Sequence, residues 1–511
     1  MKLNLLSIML IGSGLLLSAC SGNGNSNNSS TGSNDGKPNV EKPGEVIPPD
    51  KGKPGEVIPP DEGKPGEVIP PDEGKPGEVI PPDKGKPGEV IPPDEGKPGE
   101  VIPPDKGKPG EVIPPDKGKP GDEKPVEEKP NVDVNNIENP VVGTPVEYMT
   151  TTENPPNVAE SVVMTYKMKG IKGTETQATA LVFTPKTAPP VGGWPIVAWG
   201  HGTTGVIDQC APSKNKAMLR LDTGAFNMID SFAQEGYVVV APDYEGLGEP
   251  GGLEMHPYLH LKSAAYSITD AVVATKNWLG NKTSNKWAVT GVSQGGHAAL
   301  GAAEYAARAN MDYKGAIAFA PANNLEMLEN ITETDLASKT RLEQMIGYPV
   351  LDAITSLMAA GMKSLYPNES VYTNLFNKPY DTPAARAEER CIVELGAAFA
   401  ARITIQQPFG RLVNFSQRKK AEYKNNPIVR QFLDKDSQPL QTQVKTPIII
   451  YQGGADTIVY PQATNALVEK ARALNTKIDY RTDPVWNHIN VHATNVQNGN
   501  LLKDIKALLA D

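Results

Sequence analysis

Residues 42 to 118 repeat the eleven-residue unit KPGEVIPPD(K/E)G seven times, and that stretch cannot become a helix or a packed core. Each unit holds three prolines and two glycines. Proline removes a backbone donor and glycine loses the most entropy on ordering, so a period that would otherwise suit a helical supercoil has no helix to act on. Besides proline, Val and Ile are the only apolar side chains of the unit, too few to offset the entropy of ordering it. The repeats are expected to be extended and solvated. Residues 42 to 130 would then reach between about 60 Å as a coil and on the order of 300 Å fully extended. Four units carry Lys at the variable position and are neutral, whereas three carry Glu and −2 each, so the repeats hold −6 of the formal −10. The rest of the 511 residues is close to balanced, without the basic stripe that nucleic-acid binding requires. A tether is the simplest reading; a polyproline ligand for an envelope or host protein is the alternative.

An export signal precedes the repeats. Residues 1 to 19 hold one lysine, Lys2, and the apolar run LLSIMLIGSGLLL, too short for a membrane span and followed by a cleavage-like LSAC at residues 17 to 20. That motif resembles the bacterial lipobox, after which Cys20 would become a lipid-bearing N-terminus; an ordinary secretory signal with an incidental cysteine is the alternative. Ser21 in place of an aspartate favours the outer membrane by the same resemblance. Residues 1 to 19 are thus expected to be a lipoprotein signal peptide and residues 20 to 139 a disordered linker anchored in the membrane by its lipid. Of the three cysteines, Cys210 and Cys391 remain, and in an oxidising compartment they are expected to form a disulfide, with two buried thiols as the alternative.

The globular part is expected over residues 140 to 511. Short apolar runs alternate there with helical segments, the pattern of an α/β fold with a mostly parallel central sheet flanked by helices. VVMTYKMKG and TQATALVFTP read as an antiparallel opening pair. PIVAWGHG, YVVVAPDYEG, KWAVTGVSQ, KGAIAFAP, TPIIIYQGGAD and TKIDYRTD read as the following strands. Ser293 sits in GVSQGGHAAL, between the strand KWAVT and an alanine-rich helical stretch. A serine on such a sharp turn has its hydroxyl lifted above the sheet edge, with Gly291 and Gly295 relieving the crowded backbone.

One G-x-S-x-G match in a chain with 48 glycines is weak, so the order of its partners matters. An acid should come next and a histidine last, each on a loop after a strand. Asp456 follows the apolar strand IIIYQGGAD, and only His488 and His492 lie beyond it. His488 belongs to a loop, whereas His492 opens a predicted final helix, HATNVQNGNLLKDIKALLA; His488 is preferred as the base on that ground, and His492 stays open. A serine hydroxyl needs an imidazole to take its proton, and a carboxylate to orient that imidazole. The backbone N–H of Gln294 is one expected oxyanion donor, and Thr203 in GHGTTG the other.

PIVAWGHGTTGVIDQCAPS, VVAPDYEGLGEPG, HPYL, GVSQGGHAAL and GGADTIVYP together resemble the secretory lipase family of α/β-hydrolases, over most of residues 140 to 511. The histidine region, WNHINVH, departs from a simple Gly-His pattern. The resemblance implies carboxylic ester hydrolysis through an acyl-enzyme, without metal or organic cofactor. It also implies that residues 321 to 445, whose apolar residues recur at helical spacing, form a mainly helical cap over an acyl pocket; bulk core packing is the alternative.

Other polar residues are set aside. His297 lies on the helix after Ser293 and is read as packing, and His256 and His260 share an i, i+4 spacing without the glutamate of a zinc helix. Asp243 and Glu245 follow a strand but are explained by loop hydrogen bonding. The leading expectation is an envelope-tethered esterase or lipase acting on an ester or lipid substrate. The alternatives are a serine peptidase on the same fold or a non-catalytic surface adhesin. Oligomeric state and natural substrate are not written in the sequence.

Overall fold

The computed structural model describes residues 133 to 248, 251 to 252, 254 to 405 and 414 to 510. The expected signal peptide, Cys20 and the repeats lie outside them. The described strands are β1 (Val146–Glu147), β2 (Val158–Lys169), β3 (Glu175–Pro185), β4 (Trp194–Gly200), β5 (Val238–Pro242), β6 (Thr283–Val292), β7 (Asp312–Phe319), β8 (Ile448–Gly453) and β9 (Ile478–Asp483). They form one sheet in the order β1-β2-β3-β5-β4-β6-β7-β8-β9. β1 to β3 pair antiparallel, β3 joins β5 antiparallel, and every pairing from β5 to β9 is parallel. The eight expected strands are β2 to β9. β1, of two residues, is too short to leave a periodic signal.

The central strands read as continuous apolar runs because both faces of the sheet are covered. Successive side chains alternate between faces. Val197, Trp199, Val239, Ala241, Ile317 and Phe319 enter one buried cluster, and Ile196, Ala198, Val238, Val240, Ala316 and Ala318 enter the other.

The longer helices are α1 (Ala225–Gln234), α2 (Leu261–Leu279), α3 (Gln294–Glu304), α4 (Leu325–Ser338), α5 (Arg341–Leu365), α6 (Ile392–Ile405), α7 (Pro461–Ala473), α8 (Asn490–Gln497) and α9 (Asn500–Leu509). α2, α3 and the buried stripe of α7 contribute to the second cluster, whereas α1, α4, α5, α6, α8 and α9 contribute to the first. Met228, Ile229 and Phe232 of α1 are fully buried. Truncating such a Phe to Ala typically costs about 3–5 kcal/mol. The single final helix expected from the sequence is two: Gly499, at φ 76°, separates α8 from α9 in a conformation that favours glycine.

The chain leaves the sheet after β7 and returns at β8, and α4, α5 and α6 fill that interval. A buried ionic cluster pins the insertion. Arg418 bonds Asp352 at 2.7 Å and Glu333 at 2.8 Å, and its guanidinium lies 3.8 Å from the centre of the Tyr348 ring. Lys419 pairs with Glu329 and, at 2.9 Å, with Glu333. Burial would raise the carboxyl of Glu329, but Lys419 and Lys424 hold it down to about 2. Removing one member would leave an uncompensated buried charge, a loss of about 3–5 kcal/mol. Cys210, after β4, is bonded to Cys391, just before α6, with 5.4 Å between their Cα atoms.

Candidate active site

β6 ends at Val292 and α3 begins at Gln294, so a single residue, Ser293, makes the turn. It does so at φ 59°, ψ −116°, a conformation costly for any residue with a Cβ and kept only when its surroundings enforce it. Here they do. Ser293 N–H donates to Phe319 O at 2.9 Å, and Ser293 O accepts from Ala322 N at 3.1 Å and His297 N at 3.0 Å. The turn also presses against β4. A Cβ on Gly295 would lie 1.9 Å from Gly200 O, and one on Gly291 would lie 2.3 Å from Gly295 O.

Ser293 Oγ is 3.0 Å from His488 Nε2, and His488 Nδ1 is 2.8 Å from Asp456 Oδ2. The carboxylate can only accept, so Nδ1 carries the proton and the neutral ring turns its basic nitrogen to the serine. Asp456 is fixed from several sides. Its Oδ1 accepts from Ile458 N and Val459 N, both at 2.9 Å, and its Oδ2 accepts weakly from Gln452 Nε2 at 3.4 Å. The loops after β8 and β9 are tied together where they carry these residues: Gly454 N donates to Asp483 O at 2.8 Å and Ala455 N to Trp486 O at 2.9 Å.

Gln294 is the first residue of α3, so its backbone N–H belongs to the donors that find no partner inside the helix. Its side-chain Nε2 donates to His256 Nε2 at 2.8 Å, which leaves His256 Nδ1–H to donate to Glu245 O at 2.9 Å. Burial lowers the His256 imidazole to about 3 and keeps it neutral for this role. Thr203 Oγ1 shares a 2.7 Å hydrogen bond with the Tyr258 hydroxyl. The segment HPYL therefore holds both residues expected to supply oxyanion donors, an arrangement that the i, i+4 spacing of its histidines conceals. His201 is buried, which lowers it to about 4, and its Nδ1 lies 2.7 Å from Gly202 O.

Ser293 and His488 open into a cavity of about 230 Å³ whose lining is mainly apolar. Trp199, Leu219, Val292 and Ile458 come from the body of the fold; Val350 and Ile354 of α5 and Ile392 and Val393 of α6 come from the insertion. His492 also lines it but faces another acid, with Nδ1 2.9 Å from Asp222. No sequence signal marks Asp222. The set-aside residues lie elsewhere. His297 Nδ1 is 3.0 Å from Ala322 O, and burial lowers that ring to about 4. Asp243, raised to about 6 by burial, accepts from Thr179 Oγ1 at 2.6 Å, and Glu245, raised to about 7 by burial, accepts from Ile171 N at 2.8 Å. Among the described residues, no group of three or more His, Cys, Asp or Glu is gathered closely enough to hold a metal ion.

Three comparisons bear on this geometry. The family described as Serine aminopeptidase, S33, matches residues 224–376, a span that contains Ser293 but stops before β8 and so includes neither Asp456 nor His488. A search of curated proteins finds no significant match. Among solved structures, lipase A from Candida antarctica in its closed state is 19% identical, with a TM-score of 0.56 over 73% of this chain and 82% of that one. The rice cell wall degrading esterase LipA from Xanthomonas oryzae is 18% identical, with a TM-score of 0.51 over 73% of this chain and 98% of that one. The strand order, the serine turn after β6 and these likenesses agree: the described residues have the α/β-hydrolase fold, with a mainly helical insertion between β7 and β8.

Proposed function

We propose that this protein is a serine carboxylic ester hydrolase of the secretory lipase type, exported and held at the bacterial outer membrane by lipid on Cys20. The observation that carries the reading is the hydrogen-bonded chain from Ser293 Oγ through His488 to Asp456, opening into an apolar cavity. In this mechanism Ser293 Oγ attacks the ester carbonyl carbon while its proton passes to His488 Nε2, and Asp456 stabilises the imidazolium. The carbonyl oxygen becomes an oxyanion, accepting from the backbone N–H groups of Gln294 and Thr203. Each such donor typically contributes about 3 to 4 kcal/mol to the transition state. Collapse expels the alcohol oxygen, which takes the proton from His488, and leaves an acyl-enzyme. Water then attacks with the same base and releases the acid. The cavity walls from α5 and α6 would receive the acyl chain, and the repeats would let the enzyme range from its anchor.

The test is hydrolysis of p-nitrophenyl esters of increasing acyl length by the detergent-solubilised full chain and its Ser293→Ala variant. Turnover that falls by several orders of magnitude in the variant supports the reading, and the length profile separates esterase from lipase. A second reading, a serine peptidase, draws on the family description matched by residues 224–376. Cleavage of aminoacyl p-nitroanilides faster than p-nitrophenyl esters would favour it.

A further inference from the structure

The loop that carries Thr203 is tied to the helical insertion as well as to HPYL. Ile392, the first residue of α6, donates its N–H to Thr204 O at 2.8 Å, and its neighbour Cys391 is bonded to Cys210, which follows the same loop. Both cysteines are buried. Cys391 N donates to Glu394 Oε2 at 3.0 Å, the reach-back bond of a capping box, so the disulfide grips the N-terminus of α6 itself. A further tie runs from Gln209 Nε2 to Glu389 O at 3.0 Å. The cross-link is packed against the loop: a Cβ on Gly205 would lie 2.5 Å from Cys210 Sγ and 3.4 Å from Cys391 Cα. Directly after Cys391, Ile392 and Val393 line the cavity that Thr203 and Ser293 also line.

A disulfide stabilises a fold mainly by restricting the unfolded chain, and for that purpose its closeness to a cavity is immaterial. This one joins the loop of an oxyanion donor to the start of an apolar wall. We propose that the Cys210–Cys391 cross-link is a positioning element for the acyl chain, holding the Ile392 and Val393 wall in place relative to Ser293 and Thr203. Val and Ile are stiff at χ1, so where this wall stands depends on where the start of α6 is held. An acyl chain that leans on the wall reaches Ser293 with its carbonyl oriented, whereas an acetyl group offers a single methyl and gains little. The role rests on the ester-hydrolase reading.

The full chain and its Cys210→Ala/Cys391→Ala variant are compared on p-nitrophenyl acetate, butanoate and octanoate, well below the unfolding temperature of the variant. The expected result is a fall of about tenfold in kcat/KM for the longer esters relative to acetate, with acetate itself nearly unchanged. A merely stabilising disulfide would lower the unfolding temperature and leave that ratio in place. An unchanged ratio in the folded variant, or an unaltered protein that hydrolyses acetate and neither longer ester, would overturn the positioning role alone. No turnover of any of the three esters would overturn the ester-hydrolase reading, and the positioning role with it. A second measurement needs no variant to fold. Ser293 of the unaltered chain is phosphonylated with a methyl or an octyl p-nitrophenyl phosphonate, and the disulfide is equilibrated with dithiothreitol, which yields two cysteine thiols and the cyclic oxidised reagent. By reciprocity, an octyl group resting on the wall should raise about fivefold the ratio of reduced to oxidised dithiothreitol needed for half-reduction, relative to the methyl adduct. Equal ratios for the two adducts would overturn the positioning role.

Discussion

His488, in the loop after β9, and His492, on α8, are four residues apart and line one cavity, and each gives its Nδ1 to an aspartate, at 2.8 Å and 2.9 Å. What separates them is the other nitrogen. His488 Nε2 meets Ser293 Oγ at 3.0 Å, whereas His492 Nε2 meets no described group. An imidazole–carboxylate pair is thus a base only if the backbone brings a proton source to its far side, and here the strained turn at Ser293 does so. A third arrangement completes the contrast. His201, His256 and His297 are fully enclosed and face main-chain carbonyls with Nδ1, and burial lowers them to about 4, 3 and 4. Those rings stay neutral and serve as scaffolding.

The largest expected effect separates the two pairs at the base itself. His488→Ala should lower kcat on p-nitrophenyl butanoate by about 10⁴–10⁶, as Ser293→Ala does; an equal loss in His492→Phe would erase the distinction. The acids come next. Asp456→Asn should cost about 10³–10⁴ in kcat by releasing the tautomer of His488, and Asp222→Asn should cost no more than about tenfold on the same ester. Stability against pH then probes the enclosed rings. His297 is depressed from its ordinary 6.5 to about 4, so the unfolded chain takes up the proton first, and the native state loses stability as pH falls from 6.5 toward 4. Denaturant unfolding of His297→Gln should lack this loss, narrowing its deficit against the unaltered protein by about 2 kcal/mol between pH 6.5 and 4.5. A constant deficit would mean that the ring is charged in the native state. The smallest effect is at the oxyanion scaffold: Tyr258→Phe should lower kcat about tenfold with little change in KM, because it frees Thr203 without removing a donor.

Much of this was readable in the sequence, for physical reasons. Buried parallel strands must be apolar throughout, so β4 to β8 announce themselves. The chain order of serine, acid and histidine after successive strands brings Ser293, Asp456 and His488 forward, and the structure sets the three within hydrogen-bonding distance. The boundary between α8 and α9 was missed, because apolar residues at helical spacing on both sides of Asn498-Gly499 read as one helix, although that pair is a turn signal. What escaped depends on contacts between distant residues. Asp222 meets a histidine 270 positions away, and Tyr258 meets Thr203 across 55. Glu329, Glu333, Asp352, Arg418 and Lys419 pair in a cluster that no local pattern encodes.

The most direct test of the central claim is phosphonylation by a p-nitrophenyl alkylphosphonate, with nitrophenol release timed and the modified peptide found by mass spectrometry. One equivalent on Ser293, formed at least about 10³-fold more slowly in His488→Ala and near the normal rate in His492→Phe, is the result expected of a serine activated by His488. An unmodified Ser293, or a rate that does not respond to loss of His488, would contradict it.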